Sequence, residues 1–419
     1  MNVMVIGGGG REHAIVKKLR ENPEITALYA LPGNGGMARE AICVPIGATD
    51  LPAIAAFAKE KAIDYAVVTP DDPLVLGAVD LLEGQGVPCF GPNKAAAMLE
   101  GSKAFAKDFM QRHHIPTAAY KTFTDPEAAL SYVASCPLPT VVKADGLALG
   151  KGVVIAETRE AAAEAVRAAM CEGKFGHSGE TVVVEEFLTG PEVSVLAFTD
   201  GKTVVPMVSS MDHKRALDND QGLNTGGMGT VAPNPFYTED VARRCMAEIF
   251  LPTVRGMAAE GRPFKGCLYF GLMLTPQGPK VIEYNCRFGD PETQVVLALL
   301  GSDLFTIMRA VTEERLEEAE VRFKKGAAAC VILASKGYPL SYEKGFEIEM
   351  PESVRPHVLF AGAKEKDGKL VTSGGRVLGV VGTGATLPEA LALAYARAEE
   401  ITFANKFYRR DIGKRALEA

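Results

Sequence analysis

Glu283, Asn285 and Arg287 are the residues whose types and spacing point most directly to chemistry. They close a β-like run, and side chains two residues apart on a strand share a face. A carboxylate and an amide oxygen on one face are hard ligands of the kind that Mg²⁺ takes, with phosphates and waters completing its shell. Arg287 then places a fixed positive charge beside that metal. A solvated strand end is the simpler alternative, but three polar groups on one face favour a site.

The elements that must position this segment fall into three units. In the first, residues 1–101, strand-like runs alternate with helical patterns at 2–6, 11–20, 26–30, 51–61, 65–69 and 73–83. This alternation predicts a Rossmann-like N-terminal domain, with a parallel sheet covered by helices on both faces. Ligands bind at the carboxyl ends of such strands, where residues 7–10, 32–36 and 69–72 form loops.

The second unit, residues 102–325, contains the chemical segment. Its first part is a helix at 103–113 and a small lobe at about 120–190, with strand and helix patterns at 140–143, 153–156, 158–171 and 181–187. A hairpin follows at 192–199 and 203–208, around the turn dipeptide Asp200-Gly201. Residues 211–235 are polar and glycine-rich, and structureless loops of that length are usually functional or disordered.

The rest of the second unit and the third unit are also mixed in structure. The expected elements are a helix at 239–260, strands at 267–275 and 279–285, and a helix that starts at Pro291, because proline fits a first helical turn. The third unit, residues 326–419, is predicted to be a small α+β domain. Its strands are expected near 328–334 and 377–382 and its helix at 387–400. The fold class is therefore multidomain α/β and α+β.

Composition narrows the class of protein. The 419 residues carry a net charge of −7, which offers no basic surface for nucleic acid. The eight cysteines form no CxxC pair, and the six histidines form no HExxH motif, so we expect reduced thiols and no zinc hydrolase site. The chain enters a strand at once and has no apolar run of about 20 residues. We therefore expect a soluble cytoplasmic protein without membrane contacts.

Two glycine-rich loops are candidate anion sites. Gly8, Gly9 and Gly10 stand between a strand and a helix, where backbone N–H groups suit a phosphate. The third glycine of a dinucleotide fingerprint is absent, which disfavours a Rossmann oxidoreductase. Lys143 and Lys151 bracket the second loop, which lacks the order of a P-loop. Taken alone, each loop is also compatible with a structural role, as a packed turn or a flexible hairpin.

Two further segments carry charge. Glu185 and Glu186 are adjacent on a strand, so one of them is expected to face a cleft, unless both face solvent at a strand end. Asp212 and Lys214 open the glycine-rich segment 211–235. Mixed charge followed by glycines suggests a mobile flap that closes on a polar ligand, with a disordered surface loop as the alternative.

Together these segments resemble the phosphoribosylamine–glycine ligases, also called glycinamide ribonucleotide synthetases, of the ATP-grasp superfamily. The resemblance covers essentially the whole chain and rests on ordered motifs at 9–13, 32–34, 100–103, 143–148, 150–152, 185–188, 212–215, 224–229 and 287–292. The motifs Asn-Thr-Gly-Gly-Met-Gly and Arg-Phe-Gly-Asp-Pro-Glu are the most specific. The resemblance implies an ATP-grasp domain with a small lid lobe in the second unit.

The resemblance also implies roles for individual residues. The residues implied to bind ATP are Lys103, Lys143, Gly150, Lys151, Gly152, Glu185, Glu186, Leu188 and Glu192. Those implied to hold phosphoribosylamine or glycine are Gly8, Gly9, Gly10, Pro32, Gly33, Asn34, Asp71, Asn224, Gly226 and Gly227. Glu283 and Asn285 would hold Mg²⁺ or Mn²⁺, and Arg287, Asp212 and Lys214 would act on the reacting groups.

The implied reaction joins glycine to 5-phosphoribosylamine in two steps, as in the second step of de novo purine biosynthesis. Glycine attacks the γ-phosphate of ATP to give glycyl phosphate, which the amine of phosphoribosylamine then attacks. A monomer is expected, with small-molecule partners only. Three positions depart from the usual motifs, Asp71, Asn219 and Leu223. A related ATP-grasp ligase for another carboxylate, or a non-catalytic nucleotide-binding protein, remains as the alternative.

Overall fold

A computed structural model of the chain describes residues 1–147 and 152–419. The N-terminal unit has strands β1 (Asn2–Gly7), β2 (Ala27–Pro32), β3 (Ile42–Cys43), β4 (Tyr65–Val68) and β5 (Cys89–Phe90), and helices α1 (Gly10–Leu19), α2 (Leu51–Glu60), α3 (Asp71–Leu76), α4 (Ala78–Glu83) and α5 (Lys94–Gly101). All neighbouring strands pair in parallel, in the order β3-β2-β1-β4-β5, as the alternation predicts. The helix predicted at 73–83 is instead two helices, because Gly77 adopts a left-handed conformation with φ of 94°.

The small lobe follows. It comprises α6 (Lys103–Arg112), β6 (Tyr120–Phe123), α7 (Pro126–Val133), β7 (Thr140–Ala144), β8 (Val153–Ala156), α8 (Arg159–Met170) and β9 (Val182–Glu186). Its four strands form an antiparallel sheet in the order β6-β9-β7-β8. Helices α7 and α8 cover one face, where Val142, Val166 and Val184 are buried together.

The central part contains β10 (Glu192–Asp200), β11 (Val204–Pro206), β12 (Met211–Asp212), β13 (Arg215–Leu217), β14 (Gln221–Asn224), β15 (Gly229–Ala232), α9 (Glu239–Cys245), α10 (Leu251–Ala259), β16 (Lys265–Thr275), β17 (Gly278–Asn285), α11 (Glu292–Leu299) and α12 (Leu304–Thr312). Strands β11-β10-β16-β17 form an antiparallel sheet that includes the predicted hairpin. A π-helical turn, Met246–Phe250, joins α9 to α10 within the single helix that was predicted. Pro291 precedes the first turn of α11, which begins one residue later.

The C-terminal unit contains β18 (Ala327–Ser335), β19 (Val358–Phe360), β20 (Ala363–Lys366), β21 (Lys369–Thr372), β22 (Arg376–Gly384), α13 (Leu387–Glu399), β23 (Lys406–Phe407) and α14 (Lys414–Leu417). Its main sheet has the order β12-β15-β18-β22-β19, and β23 pairs with β18. The expectation of a structureless loop at 211–235 is therefore wrong. Two strands of that segment complete the C-terminal sheet, and β13 and β14 form a separate hairpin.

One large core joins the units. Val5 and Phe90 from the N-terminal sheet, Phe288 beside α11, Phe305 on α12 and Ile332 on β18 belong to the same buried apolar cluster. None of the helices in the described ranges is both long and apolar enough to cross a membrane.

Candidate active site

The structure gathers most of the predicted residues around one cavity of about 750 Å³. The small lobe, β17, the segment 211–226 and Arg376 of the C-terminal sheet all contribute to its wall. The predicted residues that line it are Asp71, Lys103, Lys143, Gly152, Glu185, Glu186, Leu188, Glu192, Asp212, Lys214, Asn224, Gly226, Glu283, Asn285 and Arg287. They lie far apart in the sequence, and only the packing of several sheets brings them together.

The end of β17 supplies the acid, the amide and the guanidinium. Glu283, Asn285 and Arg287 all line the cavity, as the alternation along a strand predicts. Arg287 Nη2 donates to Asn285 Oδ1 at 3.0 Å and pairs with Glu100 Oε1 at 3.0 Å. Burial alone would raise the pKa of Glu283, but the surrounding lysines and Arg287 lower the pKa below its ordinary value. Glu283 is therefore ionised at neutral pH.

Three lysines face this carboxylate. Lys214 Nζ lies 3.6 Å from Glu283 Oε1 and 4.0 Å from Glu192 Oε2. Lys103 Nζ donates to the carbonyl of Gly146 at 2.9 Å, and burial lowers its pKa despite the nearby Glu283. Lys143 Nζ donates to the carbonyl of Ile282 at 3.2 Å. Together with Arg287, these lysines place several positive charges around one carboxylate, and this local arrangement suits a polyanionic ligand.

The two adjacent acids at the end of β9 have different environments. Glu185 is 4% exposed, and its Oε2 atom pairs with Lys107 Nζ and Lys143 Nζ at 3.0 Å each. Burial lowers the pKa of Lys107 to about 8. Glu186 is exposed, and its carboxylate accepts from the backbone N–H of Ala119 at 3.2 Å. The side chain of Glu185 therefore orients two lysines, and solvent reaches only Glu186.

An apolar wall lies beside these charges. Leu188 packs with Ala118, Met273 and Ile282 in a small cluster. Val141 and Ile155 of the small lobe also line the cavity. These side chains give one end of the cavity the character of a slot for a flat apolar ring.

The N-terminal loops lie next to the cavity without lining it. The predicted residues placed there are Gly8, Gly9, Gly10, Pro32, Gly33 and Asn34. Asn34 Nδ2 donates to the carbonyls of Gly8 at 3.0 Å and Phe360 at 2.7 Å, which holds the two loops and the C-terminal unit together. The N–H of Gly9 donates to Glu12 Oε2 at 2.6 Å. Of the two glycine-rich loops, the second includes Gly150 and Lys151, which lie outside the described residues.

The segment 211–229 is anchored on both sides of the cavity. Gly227 has φ of 115°, and a Cβ atom there would lie 2.6 Å from Asp212 Oδ1, so only glycine fits. Burial raises the pKa of Asp212, and the neighbouring Glu292 raises it further. For Lys214, the nearby acids, Glu283 foremost, outweigh burial and raise the pKa. In the segment for which a mobile flap was predicted, β13 and β14 form a hairpin between β12 and β15.

Three residues of the site were not singled out by sequence reasoning. Glu100 is buried and accepts from the N–H of Cys286 at 2.6 Å while it pairs with Arg287; burial raises its pKa to about 7. Asp290 pairs with Arg376 at 3.2 Å, and Arg376 also donates to the carbonyl of Gly226 at 2.8 Å. Glu100 and Asp290 stood within quoted motifs, but Arg376 is a lone arginine on a strand and carries no local signal.

The oxygen ligands fit a divalent cation. The carboxylate of Glu283 is ionised, and the amide oxygen of Asn285 retains a lone pair beyond the one that accepts from Arg287. Among the described residues, no three His, Cys, Asp or Glu side chains form a metal cluster. The protein thus offers two ligands, which matches the way Mg²⁺ is held by one or two side chains together with phosphates and waters.

Comparison with known families decides what this arrangement belongs to. Three family models, the N, ATP-grasp (A) and C domains of phosphoribosylglycinamide synthetase, match residues 1–100, 101–293 and 328–415 in order. The chain belongs to the phosphoribosylglycinamide synthetase family. This membership confirms the predicted family, the fold class and the expected enzyme class, an ATP-dependent ligase. Members of this ATP-grasp ligase family use ATP with a divalent metal.

Individual relatives extend over the same length. The chain is 50% identical to the phosphoribosylamine–glycine ligase of Haemophilus influenzae, covering 100% of this chain and 99% of that protein. It is 45% identical to the enzyme of the same name from Clostridium acetobutylicum, and the match covers 99% of this chain and 100% of that protein. The crystal structure of the Thermotoga maritima phosphoribosylamine–glycine ligase matches the structure of this chain with a TM-score of 0.87 at 37% identity. The match covers 98% of this chain and 100% of that one. Biotin carboxylase from Campylobacter jejuni shares the fold, with a TM-score of 0.76 at 15% identity. The match covers 97% of this chain and 92% of that one.

Proposed function

We propose that this protein joins glycine to 5-phosphoribosylamine at the expense of ATP, giving glycinamide ribonucleotide, ADP and phosphate, the second step of de novo purine biosynthesis. The observation that carries the proposal is the ionised Glu283 with Asn285 and Arg287, facing three lysines in a cavity of a chain that matches this family throughout. The reaction needs the same features, namely a polyphosphate site, a metal site and a cavity for a second substrate.

ATP is placed with its base against the apolar wall and its phosphates toward β17. Leu188, Met273 and Ile155 suit the adenine ring, and the backbone of 186–188 offers hydrogen-bonding groups to its edge. Glu192 lies at the rim, where its carboxylate suits ribose hydroxyls. Lys103 and Lys143 line the same cavity, and we assign their ammonium groups to the phosphates.

A divalent cation, Mg²⁺ or Mn²⁺, is assigned to Glu283 and Asn285. When bound, it neutralises charge on the transferring phosphoryl group. Arg287 lies beside that position, and its guanidinium is fixed by Glu100, so it supplies a second, immobile positive charge. Groups held in place before the reaction stabilise developing charge without reorganisation.

The chemistry then runs in two displacements. A glycine carboxylate oxygen bonds to the γ-phosphorus as the bond to ADP breaks, which gives glycyl phosphate. The amine of phosphoribosylamine attacks the acyl carbon, loses a proton and expels phosphate. Asp212 and Lys214 lie at the end of the cavity assigned to glycine, and the protein side chains align and screen the reactants. Closure of the cavity over the acyl phosphate limits its hydrolysis.

Phosphoribosylamine is assigned to the N-terminal side of the cavity. The loops with Gly8–Gly10 and Pro32–Asn34 lie behind Asp290, and Asp71 lines the cavity near Arg287. Asp71 has a shorter side chain than the glutamate usual in the family, so its carboxylate reaches less far into the site. The domain limits 1–101, 102–325 and 326–419, the cytoplasmic location and the monomeric state stay predictions.

The test is ADP release by the purified protein with Mg·ATP, glycine and freshly generated 5-phosphoribosylamine, with each omitted in turn. We expect release that requires all of them, and glycinamide ribonucleotide as the product. ADP release with a different carboxylate or amine would leave an ATP-grasp ligase with another substrate. ATP binding without turnover under every condition would contradict the proposal.

A further inference from the structure

The hairpin that carries Lys214 and Asn224 is held from outside by the C-terminal end of the chain. The site hairpin, residues 213–224, comprises the two residues before β13, then β13, β14 and their turn. Five of its residues line the cavity, namely His213, Lys214, Arg215, Asp220 and Asn224. Strand β14 is exposed along its length, and β13 pairs with it through an irregular register. A two-stranded hairpin with little buried apolar surface is marginal by itself. Its position therefore has to come from other contacts.

Arg409 provides the central contact. It is 1% exposed, and its guanidinium is bound on every side. Nε and Nη2 donate to the two carboxylate oxygens of Asp411 at 2.8 and 2.9 Å. Nη1 donates to the carbonyl of Arg215 and to Asp220 Oδ1 at 3.0 Å each. One buried side chain thus binds the first residue of β13 and the turn that leads into β14.

Neighbouring groups extend the same contact. Asp411 Oδ2 accepts from the N–H of Asn219 at 2.7 Å, and Asp218 Oδ1 accepts from the N–H of Arg410 at 2.8 Å. His213 Nε2 accepts from the N–H of Gly413 at 3.0 Å, so its Nδ1–H donates to the carbonyl of Gly229 at 3.1 Å. The segment 409–413 therefore contacts the start and the turn of the site hairpin.

We propose that Arg409 is a positioning residue that sets the glycine end of the site through the site hairpin. Burying a guanidinium is costly unless its donors are matched, and here four of its five N–H donors have acceptors. Lys214 follows His213 directly and precedes Arg215, so its ammonium group depends on the backbone that Arg409 and Gly413 hold. The assignment of this end to glycine rests on the proposed function.

Lysine cannot replace Arg409 in this role. An ammonium group is a point donor, whereas the planar guanidinium reaches the Asp411 carboxylate bidentately and the hairpin at the same time. A lysine at 409 would retain one of these contacts and release the others. The conservative and the apolar replacement are therefore expected to behave alike.

The kinetic test compares Arg409→Met and Arg409→Lys with Arg410→Met. The side chain of Arg410 lies over the ring of Tyr408 and makes no contact with the site hairpin, so it is a matched control. In both Arg409 variants we expect the KM for glycine to rise at least about 10-fold, with the KM for ATP within about twofold of wild type. A KM for glycine within twofold of wild type, with kcat lower only in proportion to folded protein, would overturn the proposal.

Hydrogen exchange tests the same contact without turnover. In Arg409→Met, amides of residues 215–224 should exchange faster, while those of β1 keep their wild-type rates. Unchanged exchange at 215–224 would refute the positioning role. If wild type forms no ADP with glycine, the proposed function fails, and the exchange result still decides whether Arg409 holds the hairpin.

A milder variant covers the case in which Arg409→Met does not fold. Asp220 is partly exposed at φ of 53°, a conformation that glycine adopts without strain, so Asp220→Gly should fold while it removes one acceptor of Arg409. We expect the KM for glycine to rise about threefold and the amides of 215–224 to exchange faster, but less so than in Arg409→Met. If neither the KM for glycine nor the exchange at 215–224 changes, the proposal is wrong.

Discussion

At the scale of residues, the site is a balance between one ionised carboxylate and several cations. Glu283 faces Lys214, Lys103, Lys143 and Arg287, so its negative charge is stabilised where burial would otherwise oppose it. A second balance of charge lies among buried side chains, where Glu185 pairs with Lys107 and Lys143. Each acid therefore has a separate task. One faces the cavity, and the other pairs with buried lysines.

Replacing the first acid should remove catalysis without unfolding the protein. In Glu283→Gln we expect kcat to fall at least about 100-fold, because a neutral amide binds a divalent cation weakly and leaves the lysines unbalanced. Steady-state ADP release at saturating substrates measures the change. Glu347→Gln, which affects an exposed ion pair with Lys369, is the control. A fall of less than threefold would speak against Glu283 as a metal ligand.

Replacing the second acid should lower stability. Glu185→Gln leaves two buried lysines without their counter-charge, which we expect to reduce the free energy of unfolding by about 3 kcal/mol. The neighbouring Glu186→Gln is the matched control, since its exposed carboxylate contributes about 1 kcal/mol or less. Denaturant titrations at pH 7 compare the two. Equal stability of both variants would contradict the buried triad.

At the scale of elements, the connection between β12 and the C-terminal segment is the most consequential. His213 follows β12 directly and bridges β15 to Gly413 through both ring nitrogens. Burial, with Arg409 nearby, lowers the pKa of His213 to about 4. The imidazole is therefore neutral in the folded protein, and its Nε2 lone pair is required as an acceptor.

This histidine should make stability depend on pH in a defined window. Between pH 6.5 and about 4 the unfolded chain binds a proton that the native state does not, so stability falls as the pH decreases through this range, by about 3 kcal/mol from this group. In His213→Gln we expect the free energy of unfolding to lose the share of its pH dependence that comes from this imidazole. Urea titrations at pH 7.0, 5.5 and 4.5 measure it, with the exposed His177→Gln as control. An unchanged slope in His213→Gln would show that another group is responsible.

At the scale of the whole molecule, all three units of the chain contribute to the cavity. The small lobe, β17, the N-terminal side and Arg376 of the C-terminal sheet all reach it, and one apolar core joins the three units. Substrate positioning is therefore a property of how the units pack within one chain.

A monomer should accordingly be active. We expect light scattering after size exclusion to give a mass near 44.5 kDa at concentrations at which ADP release is measured. Specific activity should stay constant over a 100-fold dilution. Activity that falls on dilution together with the mass would show that a dimer is the functional form.

Local sequence pattern was sufficient for the parallel N-terminal sheet, the β10–β11 hairpin and the chemical face of β17. Each depends on periodicity or turn chemistry within about ten residues, which neighbouring amino acids alone decide. It was also sufficient for the family, because the motifs are contiguous. The helix predicted at 73–83 shows the limit, since a left-handed Gly77 divides it.

Long-range packing decided the rest. Strands β12 and β15 lie in a polar, glycine-rich stretch. They are strands because β15 pairs with β18, about 100 residues later, and β12 in turn pairs with β15. Arg376 and Arg409 look like ordinary arginines in the sequence, and their roles arise from acceptors on distant segments. Burial, charge pairing and sheet edges are properties of the folded chain, so they specify which acid faces the ligands and what holds the hairpin beside it.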